Sequence, residues 1–151
     1  MVDTAQIARI VETSMDGTSG ALYAIFLNSL VAALRVLAPG ELTPAIWASA
    51  LQQSMQALSK YTPAGPGDRT LVDALYPFVQ VLQKTGDLGE AADASKTAAD
   101  GTKGMKASLG RTVYVGGSGW QEVPDPGAWG LAAFFLGLAG RNTGESDWEK
   151  I

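Results

Sequence analysis

Residues 17–38 read GTSGALYAIFLNSLVAALRVLA, and this stretch decides the fold class. Leu22, Phe26, Leu30, Ala33, Leu34 and Leu37 recur at spacings of three and four, the period of one helical face. No apolar-polar alternation runs through it, so a strand is excluded. The reading is one long apolar helix from about Ser19 to Ala38. Asn28 and Arg35 interrupt its apolar run, which fits a core helix of a soluble protein better than a membrane span. Gly17-Thr18-Ser19-Gly20 breaks the chain just before it.

Working outward, residues 4–14 place Ile7, Ile10, Val11 and Ser14 on one stripe of a short amphipathic helix. After the long helix, Pro39-Gly40 is a stop and Thr43-Pro44 a start, with Thr43 as N-cap and Pro44 in the first turn. Trp47, Leu51, Met55 and Leu58 form the core stripe of that third helix. The turn-rich segment 61–70 leads to a fourth helix with Leu71, Leu75, Phe78, Val79 and Leu82 inward and a kink expected at Pro77. A fifth helix is expected over 88–108. Its stripe of Ala91, Ala92, Ser95, Ala98, Ala99, Thr102 and Met105 is small enough for another backbone to come close. Residues 110–127 read as a long loop with a short strand at Thr112–Val115. Asp125 caps a last helix that starts at Pro126 and runs through Leu138, with Gly140 closing it. The expectation is an all-α protein of about six helices.

Composition narrows the chemistry. Of 151 residues, 11 are Lys or Arg and 15 are Asp or Glu, a net charge of −4. That balance lacks the basic footprint of a nucleic-acid binder. Cysteine and histidine are both absent. Their absence excludes disulfides, thiolate zinc sites, cysteine nucleophiles and every His-containing triad. A metal would need oxygen ligands. No signal core or membrane span stands out, and the cytoplasm is the expected location, without membrane partners.

Several short motifs could bind anions. Asp16-Gly17-Thr18-Ser19-Gly20 offers free helix N–H groups, a positive dipole end and two hydroxyls, which suit a phosphate. The same residues can be read as a helix start capped by Thr18 or Ser19. In Gly67-Asp68-Arg69-Thr70, Asp68 can cap the fourth helix, and Arg69 is either a phosphate contact or a solvated charge. Arg111 follows a helix end, where it can face a phosphate or complement the dipole.

The order of four segments is more specific than any one of them. Met15–Tyr23, Pro66–Leu75, Gly110–Val115 and Pro124–Ala128 together resemble the nucleotide-binding (L) domain of dihydroxyacetone kinases, also called glycerone kinases or triokinases. The resemblance covers about residues 3–140. It implies an antiparallel barrel of eight helices with a nucleotide at one rim, and ATP-dependent phosphorylation of dihydroxyacetone in glycerol metabolism. It also assigns residues. Thr18 and Ser19 match a phosphate-contacting hydroxyl pair, Thr70 and Leu71 match nucleotide contacts, and Asp125, Pro126 and Gly127 match the segment near the adenosine. Arg111 matches the arginine placed towards the phosphates.

The chain departs from that family at defined places. The Gly-Asp-Gly-Asp motif that holds two Mg2+ ions is absent, so no metal ligands are assigned. The substrate-binding His of the separate kinase (K) domain has no counterpart in a chain without His. Asp16 stands where the family has Gly and should repel a nucleotide, and Thr62 replaces another Gly. ATP or ADP binding is therefore expected to be weak or lost. The domain reading is an incomplete barrel, about six of eight helices, over residues 1–140, followed by a polar tail at 141–151. Expected partners are a K domain or the missing L-domain helices on another chain, or a second copy through self-association. The alternative function is a non-catalytic interaction module that binds a partner through its open helical face. A weaker reading is a small-molecule or lipid carrier.

Overall fold

The computed structural model describes residues 3–37, 40, 42–109 and 122–141. Among them are six α-helices and no strand: α1 (Thr4–Ser14), α2 (Gly17–Leu37), α3 (Pro44–Leu58), α4 (Val72–Thr85), α5 (Leu88–Gly101) and α6 (Pro126–Leu138). The class is all-α, as the periodicity predicts. The strand expected at 112–115 lies outside the described residues. The chain divides into two compact units, Met1–Pro63 and Ala64–Ile151, and each is described by itself.

In the first unit α2 packs against both α1 and α3. Phe26, Leu30, Ala33 and Leu34 are buried, as their spacing predicts. By length and hydropathy α2 is long and apolar enough to cross a membrane, a test that the core helix of a soluble protein also passes. The Asp3 carboxylate caps α1 by accepting from Ala5 N–H at 2.9 Å. The buried face of α1 is not the predicted stripe: Ala8 is buried, whereas Ile7 and Ile10 are 41% and 55% exposed. A small residue lets the two helices approach closely there, and the larger side chains stay outside. Thr43 Oγ1 accepts from Ile46 N–H at 3.4 Å and Pro44 follows in the first turn, the expected start of α3.

In the second unit α5 packs against both α4 and α6. Its inner residues Ala91, Ala92, Ser95 and Ala99 are all buried, so the small stripe does allow close packing. Across the same core the rings of Phe78 and Phe135 stack with centroids 3.7 Å apart. Helix α4 runs on through Pro77 and ends at Gly86, whose φ of 69° is left-handed. Helix α5 stops at Gly101, seven residues before its predicted end at 108, because Thr102 caps it and its hydroxyl donates to Ala99 C=O at 2.6 Å. Asp125 caps α6 through Ala128 N–H at 2.8 Å. At the other end Gly140 has φ 68°, and Arg141 N–H donates to Leu136 C=O at 2.9 Å, the paired bonds of a Schellman stop. Arg141 also reaches back to the Asp93 carboxylate and ties the end of α6 to α5.

Candidate nucleotide site

Thr18 and Ser19 lie in the first unit. Helix α2 begins at Gly17, two residues earlier than predicted, so neither hydroxyl is an N-cap. Both side chains are exposed within the first turn, where backbone N–H groups have no helical acceptor. The turn is set by two glycines. Gly17 has φ 76°, and Gly20 packs directly on the Met15 carbonyl group. A Cβ on Gly20 would stand 2.6 Å from Met15 C and 3.0 Å from Met15 Cβ. Asp16 is exposed beside this turn.

Thr70, Leu71, Asp125, Pro126 and Gly127 lie in the second unit. The turn before α4 is held by a buried carboxylate, that of Asp73. Asp73, only 6% exposed, accepts from Gly67 N–H at 2.6 Å and from Thr70 N–H at 2.7 Å. Thr70 Oγ1 in turn accepts from Val72 N–H at 3.2 Å. Thr70 and Asp73 thus brace the turn that precedes α4, whose N-cap, Leu71, has no side-chain cap bond. The expected cap, Asp68, does something else: it accepts from Gly65 N–H at 2.8 Å and from the Ser108 hydroxyl at 2.6 Å. The Ser108 hydroxyl, then the Gly65 N–H, hold the Asp68 carboxyl below the usual carboxylate range, against a small opposing effect of burial.

Arg69 is not a solvated charge. It is 3% exposed, takes φ 59°, and donates from Nη2 to Val123 C=O at 2.9 Å. The guanidinium links the turn to the segment before α6. From the other side, the fully buried Thr102 Oγ1 accepts from Asp125 N–H at 2.7 Å. These ties bring the Thr70–Leu71 turn and the Asp125–Gly127 helix start together. A Cβ on Gly127 would lie 3.6 Å from Leu71 Cβ. Arg111 falls outside the described residues.

Sequence reasoning missed Asp73, Thr102 and Ser108. The Thr-x-x-Asp spacing of Thr70 and Asp73 before an apolar run was a readable capping signal. No local pattern pointed to Thr102 or Ser108, whose partners are 23 and 40 residues away. Among the described residues no cluster of three or more His, Cys, Asp or Glu could hold a metal ion.

A family model described as the DAK2 domain matches residues 3–140. The chain belongs to the DAK2 domain family. This domain is the L domain of dihydroxyacetone kinase. A dihydroxyacetone kinase of Pichia angusta is 45% identical over 145 residues, covering 89% of this chain and 24% of that protein. The triokinase/FMN cyclase of Homo sapiens is 36% identical over 142 residues, with the same coverages of 89% and 24%. The chain thus spans about a quarter of the length of the curated relatives it matches. Among solved structures, the native dihydroxyacetone kinase of C. freundii superposes with a TM-score of 0.68 at 28% identity, covering 91% of this chain and 23% of that one. The same kinase in complex with AMP-PNP and Mg2+ gives 0.65, also at 28% identity, covering 91% and 22%. The DAK2 domain described here is thus a kinase-family domain whose solved relative carries an ATP analogue.

Proposed function

We propose that this chain is a nucleotide-binding part of a dihydroxyacetone kinase, with residues 1–140 as a partial L domain and 141–151 as a polar tail. The whole kinase would transfer phosphate from ATP to dihydroxyacetone within glycerol metabolism, in the cytoplasm where ATP is supplied. The observation that carries this reading is the close approach of the Leu71 and Gly127 segments, where a Cβ added to Gly127 would lie 3.6 Å from Leu71 Cβ. It joins two segments that the family resemblance assigns to the nucleotide, with the α6 N-terminus beside them.

In this reading Thr18 and Ser19 bind phosphate oxygens with exposed amides and hydroxyls. Thr70 and Leu71 contact the nucleotide, Asp125, Pro126 and Gly127 lie near the adenosine, and Arg111 is the arginine that the resemblance assigns to the phosphates. Bound ATP supplies the phosphoryl group. The protein's share is to orient the nucleotide and exclude water from it. Asp16 opposes that binding by placing a carboxylate near phosphate. Alone, the chain is inactive, because it contains no His and no Gly-Asp-Gly-Asp segment. A K domain and the metal-binding part of the L domain would complete the kinase.

The test is calorimetric titration with ADP, beside a kinase assay with Mg-ATP and dihydroxyacetone. The parent should bind weakly and show no turnover. Asp16→Gly should bind ADP more tightly and Ser19→Ala less tightly. Equal ADP affinity in Asp16→Gly and parent would remove the α2 turn from the site.

One observation favours a second reading, a non-catalytic interaction module. Helix α6 is apolar almost all round, yet Phe134 and Leu138 are 62% and 58% exposed. Helices of that composition are normally covered. Light scattering separates the readings: a clean monomer without dye-binding apolar surface would remove the module.

A further inference from the structure

The Thr70–Leu71 turn is made from unfavourable backbone. Gly67 has φ 96° and the non-glycine Arg69 has φ 59°. A side-chain-bearing residue stays left-handed only where its surroundings over-determine it, and such positions cluster at ligand clamps. Here the surroundings include one carboxylate. Asp73 accepts N–H bonds from Gly67 and Thr70, one to each oxygen, on either side of the left-handed Arg69. An ionised carboxylate can only accept, and it suits two converging N–H donors better than any neutral side chain. At the facing segment Thr102 plays the matching part. Its buried hydroxyl accepts from Asp125 N–H while donating to Ala99 C=O, so its single proton fixes the direction of both bonds. Both Asp73 oxygens are committed to backbone N–H groups and Thr102 is fully buried, so both residues hold protein segments in place.

We infer that Asp73 and Thr102 are positioning residues, which set the Thr70–Leu71 turn against the Asp125–Gly127 helix start and so shape the site there. The inference rests on the nucleotide reading proposed above for what that site binds. Its structural half, the placement of the two segments, stands without it.

The experiment compares Asp73→Asn, Thr102→Val and Thr102→Ser with Leu82→Ala. The last is a core truncation at the far end of α4 that lowers stability without touching either segment. Amide hydrogen exchange at Thr70 and Gly67, cross-peaks between Leu71 and Gly127, and ADP affinity by calorimetry are measured where all variants are folded. Asparagine keeps the shape of Asp73 but offers one acceptor oxygen in place of two. Thr70 or Gly67 exchange should then accelerate by about tenfold over the Leu82→Ala control, and ADP affinity should fall by about the same factor. Thr102→Val should lose the Leu71–Gly127 cross-peaks and ADP affinity, and Thr102→Ser should restore both to within about twofold. Exchange in Asp73→Asn no faster than in Leu82→Ala, or an equal loss of ADP affinity in Leu82→Ala, would overturn the inference. If the parent binds no ADP, the nucleotide reading falls. The exchange rates and cross-peaks then decide the positioning claim alone, because they need no ligand. If Asp73→Asn does not fold, the Thr102→Val and Thr102→Ser pair decides it in the same way.

Discussion

Gly20 offers the sharpest perturbation in the chain. It is buried in the first turn of α2 with its Cα against the Met15 carbonyl group, at the end of the segment that leaves α1. An alanine methyl there would sit 2.6 Å from Met15 C and 3.0 Å from Met15 Cβ. Carbon atoms rest about 3.5–4.0 Å apart, so the Met15 peptide must retreat by roughly 1 Å. The obstacle is backbone, which no rotamer change can move aside. Overpacking of a tight site costs about 1–3 kcal/mol, and a backbone obstacle belongs at or above the upper end of that range.

The same substitution elsewhere should have the opposite sign. Gly130 lies inside α6 with nothing within 4 Å of its would-be Cβ. Alanine there gains about 0.5–1 kcal/mol from helix propensity and from a less flexible unfolded chain. Urea unfolding of Gly20→Ala and Gly130→Ala beside the parent reads both. The expected order is Gly130→Ala, then parent, then Gly20→Ala, with Gly20→Ala at least about 2 kcal/mol below the parent. A loss under about 0.5 kcal/mol in Gly20→Ala would mean that the α1–α2 turn is not built on that close approach.

Two further outcomes are expected. Ser95 is fully buried and its hydroxyl has no hydrogen-bond partner, so Ser95→Ala should stabilise the protein by about 1 kcal/mol; a lower melting temperature would show that the hydroxyl is satisfied. The Asp68 carboxyl is held low by Ser108 and Gly65, so its stabilisation is present above the unfolded-state pKa and is lost as pH falls through the lower folded value. The stability advantage of the parent over Ser108→Ala should therefore be constant above about pH 5 and shrink below about pH 4; an advantage independent of pH from 6 to 2 would refute the assignment.

The helices were legible because their signals are local. Thr43-Pro44 and Asp125-Pro126 start helices, and Gly86 and Gly140 end them, through bonds spanning only a few residues. The inward faces of α2 and α4 followed from spacing alone. The α1 stripe failed because periodicity identifies a large apolar face, whereas the contact made there needs the small Ala8. The end of α5 was misplaced because Thr102 has ordinary helical propensity. Its hydroxyl is committed to Asp125, which no window around residue 102 contains. The site was legible as two separate motifs, Thr70–Leu71 and Asp125–Gly127. Their adjacency depends on Arg69 reaching Val123, a bond between residues 54 apart in sequence.

The inward turn of these charges bears on what the motifs report. From the sequence, Asp68 reads as a helix cap and Arg69 as a phosphate contact or a solvated charge, and Asp73 is not singled out. Each instead satisfies protein partners, Asp68 at Gly65 and Ser108, Arg69 at Val123, and Asp73 at Gly67 and Thr70. Removing the buried Arg69 or Asp73 would leave their partners unpaired, at about 1–3 kcal/mol each, a large share of the roughly 5–15 kcal/mol that holds a domain folded. Folding alone is then sufficient to keep the Gly-Asp-Arg-Thr turn in place. Its presence identifies the architecture and carries no weight as evidence of catalysis. The weight falls on the exposed Asp16, Thr18 and Ser19, where the proposed ligand binding is tested with the least disturbance of the core.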